Sequence, residues 1–538
     1  MSSLVRLAER AARPRIERAT ARYLSSLALQ PARASRRSAD ALLANLGASP
    51  GPKVCLGEAD WGSPVSLPLE ELVKACGIMT GGMGAGKTMA ACLVLDAVIA
   101  RLPEMRSLAF GVLDAKGELF DRALLLLGRR LDALNGHARE ELRKRIVVID
   151  FSARHAITPY NILARWPYTE PDFFLTSRLE TLKELLPTDG KLSLRGAVVL
   201  RNALALLSEA GLPLTYIGEL LSSGPLRAKL VARSKNPYAR EFFEGRMDQE
   251  GKQTIAALRA RMDSLFASDG VRLALSGSTA PDFRRLQNEG AIVLVNCAGA
   301  SITRGVRMLL QGLVLSDIRQ AIFARPNQPP VSYLWLADEA QNFFLTRQQQ
   351  ENMADVLTMG RSFGSFFCFL CQNLTTAIPD SRILETLHTN IRWSLTLRGT
   401  PRDAQFLRAA LPVSGRRQRP SANPYAEPSL YSPEEERSLL LDGVAHLPDR
   451  TGYLWLKTRS AEAIRIKTRA LELPEGEDYR QAVETLREEP TIGDRMSLGE
   501  YERMIEERDR AWREPGETSD LAERLTRRYR EEQLAWQG

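Results

Sequence analysis

An α/β fold, with a parallel-rich central sheet and an inserted all-helical domain, is what this 538-residue sequence predicts. Three observations predict it. Apolar strands alternate with helices from about residue 70 to 151 and again from 291 to 397, the pattern of a parallel sheet covered on both faces. Between about 165 and 285 apolar residues instead recur at helical spacing, with few strand signals. One early strand also runs through a glycine-rich turn straight into a helix.

That turn is Gly81-Gly82-Met83-Gly84-Ala85-Gly86-Lys87-Thr88, and it fits the phosphate-binding pattern G-x-x-x-x-G-K-[ST]. Ala75–Thr80 reads as a short buried strand before it, and Met89–Ile99 as an unbroken helix after it. Glycine lets the backbone turn tightly and offer its N–H groups to phosphate oxygens, and the helix N-terminus adds a favourable dipole. Lys87 is expected to reach the β- and γ-phosphates of ATP, and the Thr88 hydroxyl to hold Mg²⁺.

Ser107–Leu113 is the next strand, ending at Asp114, and Leu119–Leu131 the next helix. Ile146–Ile149 is a strand ending at Asp150. In the helical stretch Leu175, Leu179, Leu182 and Leu186 form one stripe, Val199, Ala203 and Leu206 a second, and Ile255, Leu258, Met262 and Leu265 a third. Alternation then returns: strand 291–297, helix 303–324, strand 333–337, helix 346–360, strand 365–372, helix 381–389 and strand 391–397. Residues 412–434, rich in Pro, Ser and Arg, read as a loop, and their run Arg416-Arg417-Gln418-Arg419 as either an exposed basic loop or a phosphate contact. Gly452–Lys457 and Ala463–Lys467 read as a closing hairpin. The domains expected are a basic N-terminal segment 1–68, a nucleotide-binding domain in two parts (69–164 and 286–470), a helical insert 165–285, and an acidic tail 471–538 that is helical or partly disordered.

The strand Tyr333–Ala337 ends in Asp338-Glu339. A nucleotide hydrolase needs an acid beside Thr88 to hold Mg²⁺ and a base to align the attacking water; Asp338 suits the first role and Glu339 the second. Gln372 ends the following strand and so emerges at the same sheet edge, where ligands of open α/β sheets gather. It reads as either a γ-phosphate sensor or a surface amide. Arg361, in Met359-Gly360-Arg361-Ser362-Phe363-Gly364, reads as either an arginine finger for a neighbouring subunit's nucleotide or a salt-bridged surface residue.

The net charge of +8 is uneven. Residues 471–538 carry 11 Arg and Lys against 19 Asp and Glu, so residues 1–470 carry +16. A basic body suits a polyanion such as DNA. Residues 1–40 hold nine Arg and three acidic residues, with Leu4, Leu7, Ala8 and Ala11 near helical spacing; this is either an amphipathic helix on anionic lipid or a partner, or a solvated terminus. No apolar run of 18 or more residues reads as a membrane span, and no apolar core of a secretory signal stands at the N-terminus. The six cysteines are scattered, and Cys368 and Cys371 share a strand with opposite faces, which favours core packing in a reducing compartment. The four histidines show no metal-ligand spacing.

Leu113-Asp114-Ala115-Lys116-Gly117-Glu118-Leu119-Phe120 is similar to the D-P-K-G-E-L segment of type IV coupling proteins, the TraG/TraD group of conjugation ATPases within the FtsK/HerA-type P-loop DNA translocases. Tyr160-Asn161-Ile162-Leu163 resembles their F-N-P-L. Asp338-Glu339, Gly360–Gly364 and Gln372 follow in the family's order, and strand Ile391–Leu397 with Thr400-Pro401-Arg402-Asp403-Ala404 resembles its closing segment. The resemblance spans roughly 70–470. It implies a RecA-like P-loop ATPase domain assembled as a homo-hexameric ring that moves DNA, with any attached relaxase or relaxosome, towards a type IV secretion channel. It also implies Arg361 as the arginine finger, Gln372 as the sensor, and a helical insert that receives substrate. Family members usually begin with transmembrane helices. Without such a span, the expected location is cytoplasmic, peripheral at the inner membrane through a small anchoring partner or the basic segment. Asp338-Glu339-Ala340-Gln341-Asn342-Phe343 is nearer the D-E-A-H-N-F of HerA-type ATPases, which leaves open a DNA motor acting with a nuclease. A receptor that recruits protein substrates through its acidic tail is a third reading.

Overall fold

Gly77–Thr80, the strand ahead of the glycine-rich turn, is buried along its whole length between two parallel neighbours. Those neighbours belong to a computed structural model that describes residues 33–185, 192–222, 224–249, 252–344, 346–372, 378, 380–414, 417, 419, 429–493 and 495–513. Its strands are, in chain order, β1 (Lys53–Ala59), β2 (Pro64–Pro68), β3 (Gly77–Thr80), β4 (Leu108–Asp114), β5 (Ile146–Asp150), β6 (Ala156–Ile157), β7 (Ile292–Asn296), β8 (Ser332–Ala337), β9 (Ser365–Cys371), β10 (Trp393–Leu397), β11 (Thr451–Leu456), β12 (Ile464–Thr468) and β13 (Met496–Ser497). The fold is mixed α/β, with parallel strands at the heart of each of its two units.

One unit gathers 33–101, 334–361 and 365–473. Its strands run in the order β2-β1-β12-β11-β10-β3-β9-β8. β10, β3 and β9 are parallel, and β11, β12, β1 and β2 continue the sheet antiparallel. β9, Ser365–Cys371, is buried at every position, as a strand covered on both faces must be. Helix Lys87–Ile99 buries Ala90 to Leu95, Val98 and Ile99, nearly all round its circumference, because a helix packed on a sheet and covered from outside has no polar face to spare.

The other unit gathers 102–333, 362–364 and 474–513. Here β4, β7 and β5 are parallel neighbours. Asp114 closes β4: its carboxylate accepts from the Lys116 N–H at 2.7 Å and the Phe120 N–H at 2.9 Å, which turns the chain into helix Glu118–Asp132. Described residues from 165 to 285 are helical or connecting, with no strand. Val199, Ala203, Leu206, Leu258, Met262 and Leu265 are buried as their spacing predicts. The first helix departs from its leucine stripe. Leu182 is buried as expected, but Phe174 and Arg178 are buried with it while Leu175 and Leu179 lie half out, and Leu186 lies outside the described residues. Arg178 overrides the apolar pattern because its guanidinium is satisfied by the Ile162 carbonyl at 2.8 Å and by Asp317.

One further point corrects the sequence reading, and a second bears out its helical alternative for the C-terminal segment. Residues 53–68, assigned to the N-terminal segment, are the sheet strands β1 and β2; a register shift between Cys55 and Gly57 breaks the period-2 pattern of Val54, Leu56, Val65 and Leu67. Within 471–513, helices Gly476–Glu488 and Leu498–Arg513 dock on the second unit's body through Arg487 to Asp121 at 2.6 Å and the Tyr501 hydroxyl to the Leu273 carbonyl at 2.6 Å. The basic residues 1–32, the tail 514–538, and Arg416 and Gln418 of the basic run lie outside the described residues. No described helix is long and apolar enough to cross a membrane.

Candidate nucleotide-binding site

β3 ends at Thr80, and the chain turns through 81–86 into helix Lys87–Ile99. The turn requires φ of +71° at Gly84 and +103° at Gly86, a region where any Cβ is strained. A Cβ on Gly86 would also lie 2.9 Å from Cγ of Arg450. The loop is tied to three strand ends. Gly81 N–H donates to the Cys371 carbonyl at 3.3 Å, Gly82 N–H to the Arg398 carbonyl at 2.6 Å, and Arg450 N–H to the Ala85 carbonyl at 3.0 Å. The first turn of the helix points backbone N–H groups without intrahelical acceptors along the axis, as every helix start does. Lys87 is buried, and its ammonium donates to the carbonyls of Gly81 at 2.6 Å and Gly82 at 3.0 Å. Thr88 is half-buried, and Met83 at the crown of the loop is exposed.

Asp338 and Glu339, just past β8, are 4% and 8% exposed, so two carboxylates are held almost out of solvent at the end of one strand. Glu339 has φ of +51°, and its carbonyl accepts from Asn342 N–H at 2.9 Å. The Gln372 amide, one residue past β9, donates to one Glu339 carboxylate oxygen at 3.1 Å, and the Gln341 amide donates to the other. β8 and β9 therefore end at the same edge, beside the end of β3. Among the described residues three non-glycines have left-handed backbone, and two of them, Glu339 and Arg450, border this site. Strained backbone of this kind collects where a side chain must be aimed.

The thiol of Cys371 registers the arrangement electrostatically. Burial pushes it well above its ordinary pKa; the charge of Lys87 pulls it down, and those of Asp403, Glu339 and Asp338 push it up. One buried sulfur thus feels the lysine of the loop and the carboxylates of the distant segment together.

Of the residues singled out in the sequence, the loop 81–88, Asp338, Glu339 and Gln372 share one edge of this unit. Arg361 does not. It is exposed on the turn Gly360–Phe363 before β9, while Gln372 follows β9. Seven residues of strand separate the two by about 23 Å, beyond the reach of a guanidinium. Sequence reasoning missed Arg398 and Arg450. Arg398 ends β10, next to β3, so the strand-end argument that selected Gln372 applies to it equally; it pairs with Asp449 at 2.6 Å. Arg450 has no local signal, because an antiparallel strand brings it to the loop.

The residues fit a phosphate chain and a hard cation. The loop supplies N–H donors and an ammonium, and Thr88 and Asp338 supply oxygen ligands of the kind magnesium takes, its remaining ligands being water and phosphate. Among the described residues no group of three or more His, Cys, Asp or Glu side chains is placed to hold a metal ion alone.

No protein-family model matches this chain, and no curated protein matches it. Solved structures do. The bacterial conjugative coupling protein TrwBdeltaN70 is 13% identical over 80% of this chain and 92% of its own, with a TM-score of 0.48. The plasmid coupling protein TrwB in complex with ADP and Mg²⁺ is 12% identical over 84% and 94%, with a TM-score of 0.49. VirB4 of Thermoanaerobacter pseudethanolicus is 15% identical over 79% and 98%, with a TM-score of 0.49.

Proposed function

We propose that this edge binds ATP with Mg²⁺ and hydrolyses it. The observation that carries the reading is the meeting of the glycine loop with the Glu339–Gln372 pair at adjacent strand ends. ATP supplies the γ-phosphoryl group that water attacks, and Mg²⁺ neutralises its charge. On the protein's side, the N–H groups of 81–88 and the Lys87 ammonium hold the phosphates, releasing Lys87 from the Gly81 and Gly82 carbonyls. Thr88 and Asp338 hold the cation. Glu339, with a carboxylate oriented by Gln372 and Gln341, accepts the proton of the attacking water. Gln372 links that base to the γ-phosphate position. Arg361, remote from its own loop, serves the nucleotide of an adjacent subunit.

The work driven by this cycle is, in our reading, DNA translocation of the coupling-protein kind. The order of the Asp114–Phe120, Asp338-Glu339, Gly360–Gly364 and Gln372 segments supports it, as does the +16 charge of residues 1–470. The assembly is a homo-hexamer, with DNA, a relaxase or relaxosome, secretion-channel components and a small membrane-anchoring protein as partners. ATPase rates measured with and without single- and double-stranded DNA, alongside oligomeric state, test it. DNA stimulation in a ring supports a motor. A DNA-indifferent monomer whose residues 471–538 bind secreted proteins supports the receptor reading. Lys87→Ala should lower turnover by about a hundredfold or more; undiminished turnover would remove the loop from the reaction.

A further inference from the structure

Arg450 stands just before β11 with a left-handed φ of +60°, and its backbone is pinned at both polar groups. Its N–H donates to the Ala85 carbonyl at 3.0 Å, and its carbonyl accepts from the Thr468 N–H at 2.8 Å and the Thr468 hydroxyl at 3.2 Å. A trans peptide points its C=O and N–H in opposite directions. The Gly86 N–H, which shares a peptide with the Ala85 carbonyl, therefore points away from the Arg450 backbone. That backbone stands behind the loop, outside the hollow that takes phosphate.

The side chain runs over Gly86, which lacks the Cβ that would block it: Cγ of Arg450 lies 2.9 Å from where that atom would be. Gly86 caps helix Lys87–Ile99, and Met89 follows three residues on, a neighbour on the same face. The Leu471 N–H donates to the Met89 sulfur at 3.3 Å, which fixes the chain after β12 against that face. The guanidinium itself is uncommitted. Arg450 is half-buried, and among the described residues its side chain makes no hydrogen bond or ion pair. The neighbouring Asp449 is taken by Arg398 at 2.6 Å. A planar cation held at the loop by left-handed backbone, with its donors and its face unused, is placed for a ligand.

We propose that Arg450 stacks its guanidinium on the nucleobase, with Met89 and the Leu471 segment beside the same nucleoside. The inference rests on the nucleotide reading of the loop. Lys87 serves the β- and γ-phosphates, so the nucleoside leaves the hollow at the other end, past the first turn of the helix, where Gly86 and Met89 lie. A guanidinium plane on an aromatic ring is a cation–π contact. It asks nothing of the base's edge, so adenine and guanine serve alike.

Calorimetric titration of the full chain and of Arg450→Met tests it, with Mg²⁺ and three probes: non-hydrolysable analogues of ATP and of GTP, and inorganic tripolyphosphate. Methionine keeps a stem over Gly86 and removes the guanidinium. The parent should bind the two nucleotides within a few-fold of each other. The variant should bind both about fivefold or more weakly and hold tripolyphosphate within about twofold, because a base contact is lost and the phosphate contacts stay. Unchanged nucleotide binding by the variant, an equal loss on tripolyphosphate, or a loss confined to one purine would each overturn the proposal while leaving the nucleotide reading intact. A parent that binds none of the three probes would overturn that reading, and this inference with it.

Discussion

Glu339 carries the chemistry in this account, and its backbone is bent into the left-handed region to do so. The bend aims a nearly buried carboxylate at Gln372. Replacing it by Gln keeps the shape and removes the base. Glu339→Gln should therefore bind ATP within a few-fold of the parent and hydrolyse it about a hundredfold or more slowly; normal turnover in a single-turnover assay would strip Glu339 of the role. A second residue sets a pH dependence of stability. Burial, helped by the charge of Lys457, pushes His388 down to about 4 from its ordinary 6.5, and its ring stacks on Phe406 at 5.0 Å. A pKa depressed in the folded state means that the unfolded chain takes up the proton first, so stability is full above about 6.5 and is lost as pH falls towards 4. Between pH 7 and 5 the parent should lose about 1 kcal/mol more than His388→Gln, after discounting for the ring's partial exposure. Parallel loss in denaturant titrations of both proteins would contradict it.

At the scale of elements, β9 is the spacer that separates two roles. Its Gln372 end faces the loop, and its Arg361 end is exposed at the far edge. Arg361→Ala should lose most ATPase activity alone and recover part of it when mixed with Glu339→Gln subunits, because mixed neighbours rebuild intact sites; absence of rescue at every mixing ratio would count against action between subunits. The parallel strands were legible in the sequence because each is a continuous apolar run, and the loop because its glycines leave a fixed pattern. β1 and β2 were hidden because they alternate between buried and exposed faces and are interrupted by the shift at Gly57. The phase of helix Pro171–Leu185 was misread because a buried, fully paired Arg178 stands where an apolar residue would be expected. Arg450 is invisible to any local pattern: its place on the loop follows from the pairing of β11 with β10.

For the whole molecule, the two units divide the labour. One holds every residue of the proposed catalytic edge; the other holds β4, β7 and β5, the helical insert and the docked C-terminal helices. Charge divides too. The acidic 471–538 contrasts with a +16 remainder, and the proposed DNA interface belongs with the basic residues. DNA stimulation of ATPase activity should therefore fall steeply with salt, since release of condensed counterions drives such binding; stimulation unchanged between about 50 and 200 mM salt would argue against a phosphate-backbone interface.

The most direct measurement is a structure of the chain with a non-hydrolysable ATP analogue and Mg²⁺. The phosphates should be wrapped by 81–88, the Lys87 ammonium moved from its carbonyl acceptors onto them, and the cation held between Thr88 and Asp338. Nucleotide bound elsewhere, or Lys87 still bonded to Gly81 and Gly82 at saturating analogue, would contradict it.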